Sequence, residues 1–100
     1  MTDRYFILQG REAVPVSDLH EWAARFGALD RQVASEFVGD AHVSTVFLGI
    51  NHAFGGGAPL IFESMVFGGR LDGEQRRYST WQEAEAGHAE LVEIVRSGLN

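Results

Sequence analysis

Residues 43–67 read VSTVFLGINHAFGGGAPLIFESMVF. Val43 to Ile50 (VSTVFLGI) is almost continuously apolar and β-branched, the pattern of a central strand covered on both faces. Leu60 to Phe67 (LIFESMVF) is a second run of the same kind. Period-two alternation places Ile61, Glu63, Met65 and Phe67 on one of its faces and Leu60, Phe62, Ser64 and Val66 on the other. Asn51-His52-Ala53-Phe54-Gly55-Gly56-Gly57-Ala58-Pro59 joins the two runs and is too long for a two-residue turn.

Outward from this pair, the hydrophobic period changes twice. Upstream, Arg31 to Val38 alternates, with Val33, Ser35 and Phe37 on one side, and Tyr5 to Leu8 is a short apolar run ended by Gly10. Between them Leu19, Trp22, Ala23 and Phe26 recur at helical spacing, predicting a helix over about 18–26. Asp18 with Glu21 has capping-box spacing, Ser17 is a rival cap, and Gly27 suits the left-handed position after the last turn. Downstream, Asp72-Gly73 marks a turn and Arg76 to Tyr78 a short edge strand. A second helix is predicted over about 80–96, with Ser79/Gln82 or Thr80/Glu83 as its capping box. Trp81, Ala84, His88, Leu91, Val92 and Val95 form its apolar stripe. Gly87 weakens its middle, and Gly98 is its stop. The expected fold is a single α+β domain over residues 1–100, in the order β-(β)-α-β-β-β-(β)-α. An antiparallel sheet of four to five strands carries both helices packed on one face.

Composition excludes several classes of function. The chain has 100 residues, 14 acids and eight bases, all Arg, for a formal charge of -6. It carries no basic stripe for direct nucleic-acid binding. Without Cys there is no disulfide, thiol nucleophile or thiolate zinc site, and without Lys no Schiff base. Apolar stretches break well before the ~18 residues of a membrane span, and the N-terminus lacks a signal-peptide pattern. The expectation is a cytoplasmic protein of a bacterial host cell, with no membrane contact, no cofactor and no metal.

The candidate site residues are Asn51, His52, Gly55, Gly56, Gly57, Glu63, Trp81 and His88. Three consecutive glycines point either to a backbone that approaches a ligand or to a plain hairpin tip. They do not match a P-loop, and they precede a strand rather than a helix. Glu63 sits among apolar neighbours and requires a partner or a proton, which makes it a candidate base or ligand contact. The alternative is a Glu at a sheet edge or paired with an Arg. His88 is either a satisfied core histidine or, if its helix lies on the Glu63 face, half of an acid/base pair. Trp81 reads foremost as core. His42-Val43-Ser44 is one His-x-Ser, and the second copy that a two-histidine phosphoesterase needs is missing. No His-x-x-x-His or nucleophile-elbow spacing occurs.

From Val43 onward the wording resembles a group of small proteins encoded by bacteriophages and prophages. The shared order is a strand STVFLG, a D/N-His turn, a Gly-rich loop, a strand LFE-(S/T)-MVFGG and a final YxTWxxAxxGH helix. Here it falls on Ser44 to Gly49, Asn51 and His52, Phe62 to Gly69, and Tyr78, Thr80, Trp81, Ala84, Gly87 and His88. Asn51 stands where many relatives carry Asp, a departure that favours binding over catalysis. The group has no established activity, so the resemblance implies a phage-genome context rather than a mechanism.

Three expectations follow. The first is a small phage-type accessory protein that acts by non-enzymatic binding to a host or phage protein, in counter-defence or regulation, or to itself as a homodimer. The second is a small-ligand or nucleotide-binding protein, or a small enzyme, with a cleft formed by Asn51, His52, Glu63 and His88 near the Gly-rich loop. It requires Glu63 and His88 on the same face of the sheet. The third is a polyanion mimic built on Glu83, Glu85, Glu90 and Glu93, four of the 14 acids.

Overall fold

The computed structural model describes residues 3–53 and 55–98, so Phe54 of the Gly-rich loop lies outside the described residues. The chain is α+β. Its order is β1 (Phe6–Gln9), β2 (Glu12–Pro15), α1 (Leu19–Gly27), β3 (Gln32–Val38), β4 (Ala41–Phe47), β5 (Phe62–Phe67), β6 (Gln75–Tyr78) and α2 (Trp81–Ser97). β1 and β2 form a two-stranded sheet, tied to the segment after β4 by the Tyr5–Ile50 bridge and by the Phe6 amide, which donates to the Gly49 carbonyl. β3 to β6 form one four-stranded antiparallel meander in chain order. Among the described residues no helix is long and apolar enough to cross a membrane.

Each helix starts where its side chains satisfy free backbone amides. Asp18 accepts from the His20 and Glu21 amides, which decides between the two candidate caps of α1. Thr80 and Glu83 form the complete capping box of α2. Gly27 departs from expectation: it is the last residue of α1, and the following cap, Ala28, is right-handed at φ -94°. Gly98 ends α2, also in a right-handed conformation.

α2 lies across the four-stranded sheet and buries Ala84, Gly87, His88, Leu91, Val92 and Val95. At one end, Leu91, Val92 and Val95 meet Val38, Ala41, Val43 and Val66. At the other, the β1–β2 hairpin closes the core, with Phe6 and Leu8 against Phe47, Ile61, Phe62 and Ala84. α1 joins this end through Phe26, whose ring lies 6.1 Å from that of Phe47. It is tied to β1 by Trp22, whose indole N–H donates to the Phe6 carbonyl at 2.9 Å. Gly49 is indispensable to the arrangement: its φ is +76°, and a Cβ there would stand 2.2 Å from the Phe26 ring.

The central strands are not covered on both faces. β4 alternates between buried and half-buried along its whole length: Ala41, Val43, Thr45 and Phe47 face α2, whereas His42, Ser44 and Val46 face away. β5 does the same, with Phe62, Ser64 and Val66 inward. Both helices and the hairpin lie on the inward side. The apolar residues of the outward side therefore lack the second layer that their composition predicts.

Val33 also departs from simple alternation. The β3–β4 register shifts between Gln32, opposite Val46, and Ala34, opposite Thr45. This bulge turns Val33 onto the core cluster around Phe47, away from Ser35 and Phe37.

Candidate functional site

Four side chains bridge the sheet to α2 through its buried face. Tyr78 Oη donates to Ser64 Oγ at 3.1 Å. Ser64 Oγ lies 2.6 Å from Thr45 Oγ1, which lies 2.7 Å from His88 Nδ1. Which atom donates in the last two contacts depends on the tautomer: Thr45 donates to Nδ1, and Ser64 to Thr45, when the imidazole proton is on Nε2. That atom has no hydrogen-bond partner within reach. It faces Glu36 Oε1 at 3.6 Å, and Arg96 approaches the other Glu36 oxygen at 4.0 Å. Burial pulls the His88 imidazole below its ordinary value of 6.5, with Glu36 opposing the shift and His42 adding to it.

Thr45, His88 and Glu36 have the order of a nucleophile, a base and an orienting carboxylate. They do not form a reactive site. Thr45 and Ser64 are wholly inaccessible, and His88 is 4% exposed. The bridge is a buried polar chain that fixes α2 on the sheet: His88 meets a hydroxyl at Nδ1, while its Nε2 is left without a hydrogen-bond partner.

Glu63 lies on the opposite face. It is paired in register with Val46 and Arg77, one residue out of phase with Thr45 and Ser64. Its carboxylate accepts from Arg77 Nε at 3.1 Å and from the Gln75 amide. The sheet therefore stands between Glu63 and His88, and a cleft shared by the two is ruled out. Parity along β5 decides this, since Ser64 reaches the His88 bridge and Glu63 is its neighbour in sequence.

Asn51 organises the base of the Gly-rich loop. Its Oδ1 accepts from the amides of Ala53 at 2.8 Å and Leu60 at 3.1 Å, and its Nδ2 donates to the Asp3 carbonyl at 3.2 Å. Both ends of the amide are used. The donor contact gives Asn51 a reason to be Asn rather than Asp. His52 continues the strand pairing through its backbone, its amide donating to the Leu60 carbonyl. Gly55, Gly56 and Gly57 are exposed, with nothing within 4 Å of a Cβ placed on any of them. Gly55 and Gly57 have positive φ. The adjoining hollow, lined by Asp3, Arg4, Asn51, Ala53 and Gly55, is about 130 Å³.

Trp81 is half-buried and meets Phe62 edge-on at 6.3 Å, as its core reading requires. Its outer side carries the Arg11 guanidinium 5.4 Å from the ring centroid. It also lines a cleft of about 500 Å³ together with Gln9, Arg11, Thr80 and Gln82. Among the described residues no group of three or more His, Asp or Glu side chains is arranged to hold a metal ion.

The acids of α2 are individually matched. Glu83 accepts from the Ser79 and Thr80 amides. Glu85 lies 4.0 Å from Arg11, Glu90 3.2 Å from Arg76, and Glu93 pairs with Arg96.

The uncovered face of the sheet is what the residue-by-residue reading missed. The register aligns its side chains in cross-strand rows. One row holds Phe37, His42 and Phe67; the next holds Ser35, Ser44, Met65 and Gln75; a third holds Gln32, Val46, Glu63 and Arg77. Phe37 is 79% exposed and Phe67 53%. The Phe37 ring stacks on His42 at 4.3 Å and 10°, and His42 is 6.1 Å from Phe67. Ser35 Oγ, 2.6 Å from His42 Nε2, holds the imidazole in the row. The signal lay in residues far apart in sequence, which only the strand register brings together.

Comparison with protein-family models, with curated proteins and with solved structures returns no match.

Proposed function

We propose that this chain is a non-enzymatic binding protein, a small accessory protein of phage or prophage context that docks on a partner protein through the uncovered face of its sheet. One observation carries the reading: two exposed phenylalanines flank a stacked histidine on a sheet face that none of the described residues covers. Large exposed aromatics gathered on one surface are characteristic of protein docking sites. The groups with chemical potential favour the same side. His88 and Thr45 are sealed in the core, Glu63 is paired with Arg77, and Asn51 is engaged by the backbone.

The small-ligand reading has less support. Its proposed cleft is divided by the sheet, and the hollow beside the Gly-rich loop is smaller than the ~300 Å³ at which ligand pockets begin. The polyanion-mimic reading loses ground because three of its four acids are matched by Arg and the fourth caps a helix.

The test is affinity capture from bacterial host lysate by the wild-type chain and by a Phe37→Ser/Phe67→Ser variant, with mass spectrometry as readout. Loss of specific captured proteins in the variant, with an unchanged circular dichroism spectrum, is the expected result. Identical capture by both chains would remove the sheet face from the proposal.

A further inference from the structure

We infer that the occupant of the uncovered face is a second copy of this chain, with the two sheets packed face to face about a two-fold axis beside His42. The inference rests on the docking reading above and names its partner.

The arrangement of the aromatic row supports it first. An isologous interface must be its own complement: if residue i meets j across the axis, j must meet i. Phe37, His42 and Phe67 lie in one cross-strand row with His42 in the middle. A two-fold axis lying between the sheets, parallel to the strands and over the middle of the row, exchanges its ends, so Phe37 of each copy meets Phe67 of the other. Each copy thereby buries both exposed rings in one operation.

Charge supports it second. The chain carries a net charge of -6. Apart from the His42 imidazole, the charged groups in the three rows of this face are Glu63 and Arg77, which pair with each other at 3.1 Å. The acids of α2 lie beyond the sheet, on the helix side. The face is thus a neutral patch on an acidic protein. It suits a neutral apolar partner surface such as its own copy. It offers no free positive field to a nucleic acid and no net negative field to a basic protein.

Area sets the strength. With the axis over β4, strands β3, β4 and β5 of one copy overlie β5, β4 and β3 of the other while β6 overhangs, so three strands at ~4.8 Å spacing and ~20 Å length give a contact on the order of 300 Å² in projection. That falls below the ~800 Å² per partner of a standard interface, in the class of reversible complexes. A dimer dissociating on the order of 10 µM fits such a contact. Because the acidic remainder of each copy repels the other, added salt strengthens association instead of weakening it.

Sedimentation equilibrium from about 1 µM to about 1 mM, at low and high salt, tests the inference. The expected result is a monomer–dimer equilibrium, tighter at high salt and weakened at least about 100-fold in the Phe37→Ser/Phe67→Ser variant. Cross-linking gives a measurement that does not depend on that variant folding. The chain has no Cys, so His42→Cys and Ala89→Cys each supply one thiol for a short bismaleimide. Dimer formed by the first and not by the second, which lies on the exposed side of α2, supports the two-fold beside His42. A wild-type chain that stays monomeric up to about 1 mM overturns the inference, as does a dimer that survives the double substitution without cross-linking at position 42. If the monomeric wild type captures host proteins that the double variant does not, the docking reading stands and only the identity of the partner fails. If the chain is monomeric and both forms capture the same proteins, both fail.

Discussion

Thr45 Oγ1 lies 2.7 Å from His88 Nδ1, joining the second strand of the main sheet to the middle of the last helix. The contact sits between two apolar clusters, one around Val43 and Leu91 and the other around Phe47 and Phe62. It makes the helix–sheet interface directional, since apolar packing alone tolerates sliding and a hydrogen-bonded chain does not.

Thr45→Val keeps the shape of the side chain and removes the hydroxyl that joins Ser64 to His88. Two buried polar groups then lose a partner, at about 1–3 kcal/mol for an unsatisfied buried group. Urea denaturation is expected to show a lower midpoint with an unchanged slope. A stability equal to wild type would mean that the bridge contributes nothing net.

His88 makes stability depend on pH. Its folded-state value lies below 6.5 because of burial, with Glu36 opposing and His42 reinforcing. The folded state therefore binds fewer protons than the unfolded state in the window between that lowered value and 6.5. Stability rises with pH there, and it is lost as pH falls through 6.5 toward the lowered value. Denaturation from pH 8 to pH 5 is expected to show this acid-side loss in the wild type. His88→Leu should flatten the His88 part of the profile.

Gly87 and Gly27 give opposite outcomes on substitution by Ala. A Cβ on Gly87 would stand 2.2 Å from Tyr78 Cε1 and 2.4 Å from its hydroxyl oxygen, so the ring that donates to Ser64 must move. Gly27, also helical, has nothing within 4 Å. Gly27→Ala is expected to stabilise by about 0.5–1 kcal/mol through helix propensity. Gly87→Ala is expected to lower the melting temperature by at least about 4 °C despite the same propensity gain. Thermal melts of the two variants check the contrast directly.

Asn51 is expected to act through the backbone it holds. Asn51→Ala removes the acceptor for the Ala53 and Leu60 amides, and hydrogen exchange at both should quicken markedly. Asn51→Asp keeps that acceptor but loses the donor to the Asp3 carbonyl. Protection of Ala53 and Leu60 should then persist, with a cost of about 1 kcal/mol in global stability. Quickened exchange in the Asp variant would show that the contact to Asp3 is what holds the loop base.

Much of the architecture was legible in the chain because it depends on local physics. The spacing of Trp22 and Phe26 in α1, and of Ala84, His88, Leu91 and Val95 in α2, reflects helical geometry. Thr80 and Glu83 announce their own cap. The alternation of Ser35–Val38, beyond the bulge at Val33, and the Asp72-Gly73 turn likewise need no distant partner. The α+β class and the element order follow from these signals, and so does the parity that separates Glu63 from Ser64.

Parity shows which residues share a face, but it is silent on which face is covered. β4 is apolar enough to be enclosed on both sides, yet the chain supplies one layer of helix and hairpin, and that layer goes to the side of Thr45 and Phe47. From that placement alone follow the sealing of His88, the separation of Glu63 from it, and the exposure of Phe37 and Phe67. The aromatic row depends further on register: Phe37, His42 and Phe67 meet because three strands pair in one alignment, with long-range contacts that no local pattern encodes. Secondary structure was local and could be read along the chain. The surface proposed for function is a sum of cross-strand neighbours, and it exists only once the sheet has formed.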